Sequence, residues 1–406
     1  MQALPRRLPV LAIALAVLAV STPAIADLSI LQPLDELTRV SPVIVRGDVY
    51  SVDAAWEDGT IYTYVTVDVS EVFRGGAPAR ITIKQLGGVV GEMGLAIAGQ
   101  AAFVPGEEVM LFLGLRPRDN TLMTSVLWQG KWAVSRDAAT GTTEAVRYAG
   151  DDDDGTPLLH DRLALADLER VTQTTMATVR DVTNSDIVFT PPEAPAPVNT
   201  VDNPVAHKIA FLGFSWHEVF AGTLIPTLFG KTKQPKVGTG AKQIKDTVKA
   251  QNAIKKTLPV FKKSNKYKGS IVGSDLRTSA CAMDNVVFNR DPKGEIANDG
   301  TLAIGGAFFF TNILIRGFSK ACNGFVVMND GSTADGLMQN KTCYHNVLNH
   351  ELLHAMGLGH STKNVNLMFP SVSMAACQGG KITYGGDDKK GKKKLYNSNF
   401  AARVGH

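Results

Sequence analysis

His350-Glu351-Leu352-Leu353-His354-Ala355-Met356-Gly357-Leu358-Gly359-His360 holds three of the chain's eight histidines. His350 and His354 are four residues apart, so on a helix both imidazoles leave the same face. That spacing suits two corners of a tetrahedral zinc site. Glu351 sits beside the same face, within reach of a metal-held water without being a ligand. Gly357 permits a sharp turn, and His360 then returns to the third corner. Three neutral nitrogens leave a fourth position open, which separates a catalytic zinc from a structural one. The stretch predicts a helix over Thr342–Met356, with Thr342 as N-cap and Gly357 as its end. A helix of core histidines is the bland alternative, and it would need three buried partners for three converging rings.

Moving outward, all four cysteines lie in the second half: Cys281, Cys322, Cys343 and Cys377. An even count in an exported chain favours disulfides, and four cysteines allow three pairings. Cys281–Cys322 with Cys343–Cys377 is the preferred one, since the second bridge would brace the segments before and after the histidine stretch. A tetrathiolate zinc site competes, but no C-x-x-C pair is present. Between Lys231 and Lys268 there are 12 lysines, and Ala241 to Phe261 fits a helix whose lysine face reads mainly as solvated.

The first 26 residues read as a secretory signal: Arg6 and Arg7, an apolar core from Leu8 to Val20, and the small-residue site Ala24-Ile25-Ala26. That core is too short to span a bilayer, which takes about 20 apolar residues. No later segment is apolar enough to cross, so the mature chain is expected without a transmembrane segment, secreted or periplasmic/cell-surface after cleavage near Ala26. Residues 27–182 show short alternating strands, among them Ile61 to Val69 with Val65, Val67 and Val69 on one face. They predict an all-β small barrel or sandwich, followed by a helix over Leu163–Val179. Asp151 to Asp154 read as a solvated acidic turn. Residues 183–204, with Thr190-Pro-Pro-Glu-Ala-Pro-Ala-Pro, form a stiff Pro-rich linker, and 205–406 is the second domain. Residues 27–200 carry 13 Lys+Arg against 25 Asp+Glu, and 201–406 carry 27 against 13. This asymmetry predicts intramolecular docking of the acidic N-terminal domain on the basic second one.

The sequence His350-Glu351-x-x-His354-x-x-Gly357-x-x-His360 resembles the extended zinc motif of the metzincin metallopeptidases. Asn366-Leu-Met-Phe-Pro resembles their Met-turn, with Met368 beneath the metal. Ser361 after the third histidine, and no tyrosine two residues after Met368, are similar to the matrixin branch. Gly300-Thr-Leu-Ala-Ile resembles the matrixin edge strand above the substrate cleft, and Gly386-Asp-Asp to Leu395-Tyr396 resembles the final matrixin helix. The resemblance covers roughly residues 205–400. It implies an α+β zincin domain, a twisted mixed sheet over an active-site helix, inside a multidomain chain.

It further implies one catalytic Zn2+ held by His350, His354 and His360, Glu351 as general base and acid, and protein or peptide substrates. Thr301, Leu302 and Ala303 would line the cleft by strand addition, with Pro370 and Val372 across from them. Family members often bind Ca2+, for which Asp299, Asp330 and Asp335 are candidates. Ile304 stands where a histidine of a second, structural zinc would be, so that ion is not expected. Phe369 replaces the usual Met-turn tyrosine, and no cysteine upstream of Cys281 can silence the zinc. Nucleic acid is not expected as a partner. A rival reading is a zinc-containing, non-catalytic adhesion protein that uses its basic half on polyanionic surfaces.

Overall fold

The computed structural model describes residues 29–151, 157–178, 211–229, 240–262, 265–266, 281, 286–291, 294–331, 336, 339–361, 366–371 and 384–398. Residues 1–26 and 183–204, Asp335, Val372 and Cys377 lie outside them.

Among the described residues the first half builds ten strands: β1 (Val43–Glu57), β2 (Thr60–Arg74), β3 (Arg80–Leu86), β4 (Gly88–Val90), β5 (Met93–Ile97), β6 (Glu108–Leu115), β7 (Leu122–Thr124), β8 (Lys131–Arg136), β9 (Thr143–Asp151) and β10 (Pro157–Ala164). Two helices accompany them, α1 (Leu34–Val40) and α2 (Leu165–Met176). Strands β1 and β2 form a hairpin because Asp58 and Gly59 accept the positive φ that a two-residue turn requires. Val65 and Val67 are fully buried on one face, as their alternation predicts. The opposite face, with Ile44, Phe112 and Trp132, is covered by Leu37 of α1 and Leu165 and Leu168 of α2. The sheet runs β10-β9-β8-β6-β1-β2-β3, with β7 on β6. Among the described residues it is therefore one open antiparallel sheet, where the sequence suggested a closed barrel or a sandwich.

The second sheet is mixed and carries the α+β part of the molecule. Its further strands are β11 (Phe214–Ser215), β12 (Thr227–Phe229), β13 (Asn265–Lys266), β14 (Val286–Arg290), β15 (Ala303–Ile315) and β16 (Phe318–Met328). Strands β12, β13, β14 and β16 pair in parallel, while β15 returns antiparallel to β16 through the Arg316-Gly317 turn. Among the described residues, helices α3 (Gly240–Asn252), α4 (Lys341–Met356) and α5 (Gly386–Leu395) accompany it. Every residue of α4 from Cys343 to Met356 is buried, as expected of a helix enclosed on all sides.

A boundary at 183–204 leads one to expect two self-contained cores, and here the expectation needs amending. The order of the second sheet is β13-β12-β14-β16-β15-β5-β4, so β4 and β5 join it from far upstream. Gly306 makes the junction possible: a Cβ there would overlap the Ala96 carbonyl oxygen. One apolar cluster accordingly mixes Tyr62, Leu86, Leu95 and Ile97 with Ile304, Phe308, Phe325 and Val327. Cys281 and Cys322 are bonded beside this cluster. Cys343 is also disulfide-bonded, and Cys377, its expected partner, lies outside the described residues.

Candidate metal centre

Helix α4 is capped two residues earlier than the sequence suggested. Asn340, not Thr342, is the N-cap, its Oδ1 accepting from the Thr342 and Cys343 N–H groups at 2.9 and 3.2 Å. Both are capping residue types, and only the folded backbone chooses between them. The helix ends at Gly357, whose φ of 110° suits glycine. The last carbonyls would otherwise be orphaned. Trp216 Nε1 donates to Ala355 O at 2.8 Å and Tyr396 Oη to Met356 O at 2.7 Å. The end of the helix, which aims His354 and then His360, is thus held by two buried aromatic residues.

His350, His354 and His360 come together, their ligand atoms all within 4.8 Å of one another, and all are buried. The Nδ1–H of His350 donates to Leu367 O at 2.6 Å, and that of His354 to Leu358 O at 2.7 Å. A carbonyl can only accept, so both Nδ1 atoms carry the proton. Burial pushes the His350 pKa down to about 4, and that of His354 and His360 well below the usual histidine value. The rings are therefore neutral at pH 7, and the Nε2 atoms of His350 and His354 face each other as lone pairs 2.8 Å apart. Two acceptors at that separation call for a cation, and the all-imidazole donor set fits zinc. Among the described residues this is the one group of three or more potential metal-ligating side chains brought together.

Glu351 is fully buried on the β15 side of α4. A Cβ at Gly305 would stand 2.8 Å from its Oε2, so the missing side chain of Gly305 makes room for the carboxylate. Met368 is buried in the core, and the Ser361 N–H, next to His360, donates to its carbonyl at 2.7 Å.

Sequence reasoning missed what holds this turn. Asp388, in the first turn of α5, accepts from the N–H groups of Leu367 at 2.9 Å, Met368 at 3.1 Å and Gly385 at 2.6 Å. Burial pushes its carboxyl pKa up, and the three N–H groups oppose that shift. Since Leu367 O orients His350, Asp388 fixes a histidine it does not touch. Its neighbour Asp387 accepts from Asn366 Nδ2 at 2.8 Å and Ser361 Oγ at 3.1 Å. Adjacent acidic residues opening a short helix were the available signal.

The other expected residues fare differently. Thr301, Leu302 and Ala303 are 2%, 0% and 0% exposed, so the expected cleft rim is not an open edge. Pro370 is buried, and Val372 lies outside the described residues. Asp299 is engaged by Val126 N, Thr301 N and Thr301 Oγ1 at 2.5, 3.1 and 2.9 Å. Neither Asp299 nor Asp330 belongs to a group of three or more potential metal-ligating side chains among the described residues. No described helix is long and apolar enough to cross a membrane.

Residues 261–397 match the family model described as matrixin, and the three histidines, Glu351 and Met368 all lie in the matched segment. A comparison with curated proteins gives no match.

Proposed function

We propose, from the matrixin segment at residues 261–397, that the chain is an exported zinc-dependent endopeptidase. The observation that carries the reading is the convergence of His350, His354 and His360, with the Nε2 atoms of His350 and His354 2.8 Å apart. His350, His354 and His360 would hold the ion. Bound there, zinc supplies Lewis acidity, which makes water a nucleophile near neutral pH and polarises a carbonyl. Glu351 takes the proton of the attacking water on its carboxylate and returns it to the leaving amine. Its fixed place between α4 and Gly305 keeps that carboxylate oriented with little reorganisation. The carbonyls of Leu367 and Leu358 keep the imidazoles in the ligating tautomer. The signal-like residues 1–26 support export.

Two variants separate binding from chemistry. Glu351→Gln is expected to keep one zinc per chain by elemental analysis while losing at least about a hundredfold in peptide hydrolysis. His354→Ala is expected to lose both metal and activity. Undiminished hydrolysis by Glu351→Gln would remove the assignment.

A further inference from the structure

A peptide that adds to β15 as a strand must use the outward backbone groups of alternate residues. The Asn329 N–H of the β16 side donates to Leu302 O at 2.9 Å, so Leu302 and Ile304 direct their backbone groups toward β16. Ala303, Gly305 and Ala307 then direct theirs outward, while the Thr301 N–H goes to Asp299 Oδ1 at 3.1 Å and the Thr301 carbonyl accepts from Asn329 Nδ2 at 2.6 Å. Gly305 and Ala307 are taken by the chain's own first half. Ala307 pairs with Ala96 of β5, and Gly305 O accepts the Ala98 N–H at 3.4 Å. At the other end Thr301 bridges to Ser29, and Gly300 O accepts the Ile30 N–H at 3.0 Å. Both occupants run antiparallel to β15. Ala303 lies between them, two residues before Gly305, which makes room for Glu351.

The first half is anchored on the second around these segments. Glu295 receives Arg116 Nη1 at 2.6 Å, Arg118 Nη1 at 2.8 Å and the Tyr62 hydroxyl at 3.0 Å. Trp56 stacks on Phe308 with centroids 6.1 Å apart. Gln32 donates through Nε2 to Asp299 O at 3.3 Å, and Gln129 holds the Gln32 N–H at 2.8 Å. Asp299, a calcium candidate by sequence, serves instead to seat the Val126 loop.

We infer that residues 29–32 and 93–98 occupy the strand position of a peptide substrate along β15, so that the complete chain is a latent peptidase, activated when these segments move. The inference rests on the peptidase reading for its function and on backbone pairing for its geometry. It also supplies a means of latency that needs no cysteine, and none precedes Cys281.

The test uses the zinc-loaded chain and two variants. Gly306→Ala places a Cβ where the Ala96 carbonyl now lies and pushes β5 outward. Ile30→Pro deletes the N–H that reaches Gly300 and, although Ile30 also packs on the core, leaves β5 and Gly306 unaltered, so it remains informative should the first variant fold poorly. Binding of a peptide hydroxamate, a zinc-directed strand mimic, is measured by calorimetry beside hydrolysis of a peptide pool. Both variants are expected to bind the hydroxamate at least about tenfold more tightly than the unmodified chain and to cleave correspondingly faster. Native circular dichroism and zinc content with unchanged hydroxamate affinity would overturn the inference and leave the peptidase reading standing. Tighter binding with no cleavage by any form would support the occupancy and remove the peptidase.

Discussion

The histidine stretch was legible because ligand spacing on a helix is local: His350, Glu351 and His354 belong to one turn, and Gly357 frees the next. Asp388 was not, because its partners Leu367 and Met368 meet it only after α5 has folded back. Asp388→Asn keeps the size but sets an NH2 group against backbone donors. It is expected to weaken zinc affinity about 10- to 100-fold in a chelator competition, through the turn that orients His350. Asp291 offers a pH test away from the metal. Burial, with Glu295 and Asp330 nearby, pushes its carboxyl up to about 7. Between about pH 4 and 7 the folded chain thus keeps a proton that the unfolded chain has lost, and stability falls as pH rises through that window. The loss approaches about 4 kcal/mol at the top of it. Asp291→Asn should flatten this decline in denaturant titrations between pH 5 and 8. An unchanged slope would mean that Asp291 is ionised in the fold.

Among elements, caps and turns carried the readable information. The Asp58-Gly59 turn and Gly357 end their elements because positive φ is needed there. The cap of α4 was placed two residues late, since Asn340 and Thr342 are both good capping types and the choice depends on backbone geometry. Asn340→Ala should cost about 1 kcal/mol, read as a lowered urea midpoint. Thr342→Ala should cost less, because the Thr342 side chain does not cap the helix. Strands β4 and β5 escaped notice for a different reason. A segment with Gly87, Gly88, Gly91 and Gly94 reads as turns, and its strand character comes from pairing with β15 far along the chain. Gly94 itself lies under the Phe309 ring, where a Cβ would collide.

At the scale of the molecule, the ion pairs between the two parts of the chain do not follow the charge asymmetry of the sequence. Among the described residues, the ion pairs that join them run against the bulk charges: Arg116 and Arg118 come from the acidic half, and Glu295 from the basic one. Arg116 and Glu295 are buried, and a mixed apolar cluster surrounds them. Salt screens exposed charges far more than buried ones. Raising the ionic strength from about 0.05 to about 0.5 M, roughly a threefold shortening of the Debye length, should therefore leave the latency unchanged. Glu295→Gln, by contrast, leaves two guanidinium groups short of their carboxylate and should relieve it. Activity that climbs steadily with salt in the unmodified chain would assign the contact to surface charge instead.

The most direct measurement combines release and chemistry. Zinc-loaded Gly306→Ala protein, and the same variant also carrying Glu351→Gln, are incubated with a complex peptide pool, and new termini are recorded by mass spectrometry. The account predicts many new termini where Glu351 is kept, none above background from the doubly substituted protein, and equal zinc in both. Equal sets of termini from the two proteins, or none from either while zinc is bound, would contradict it.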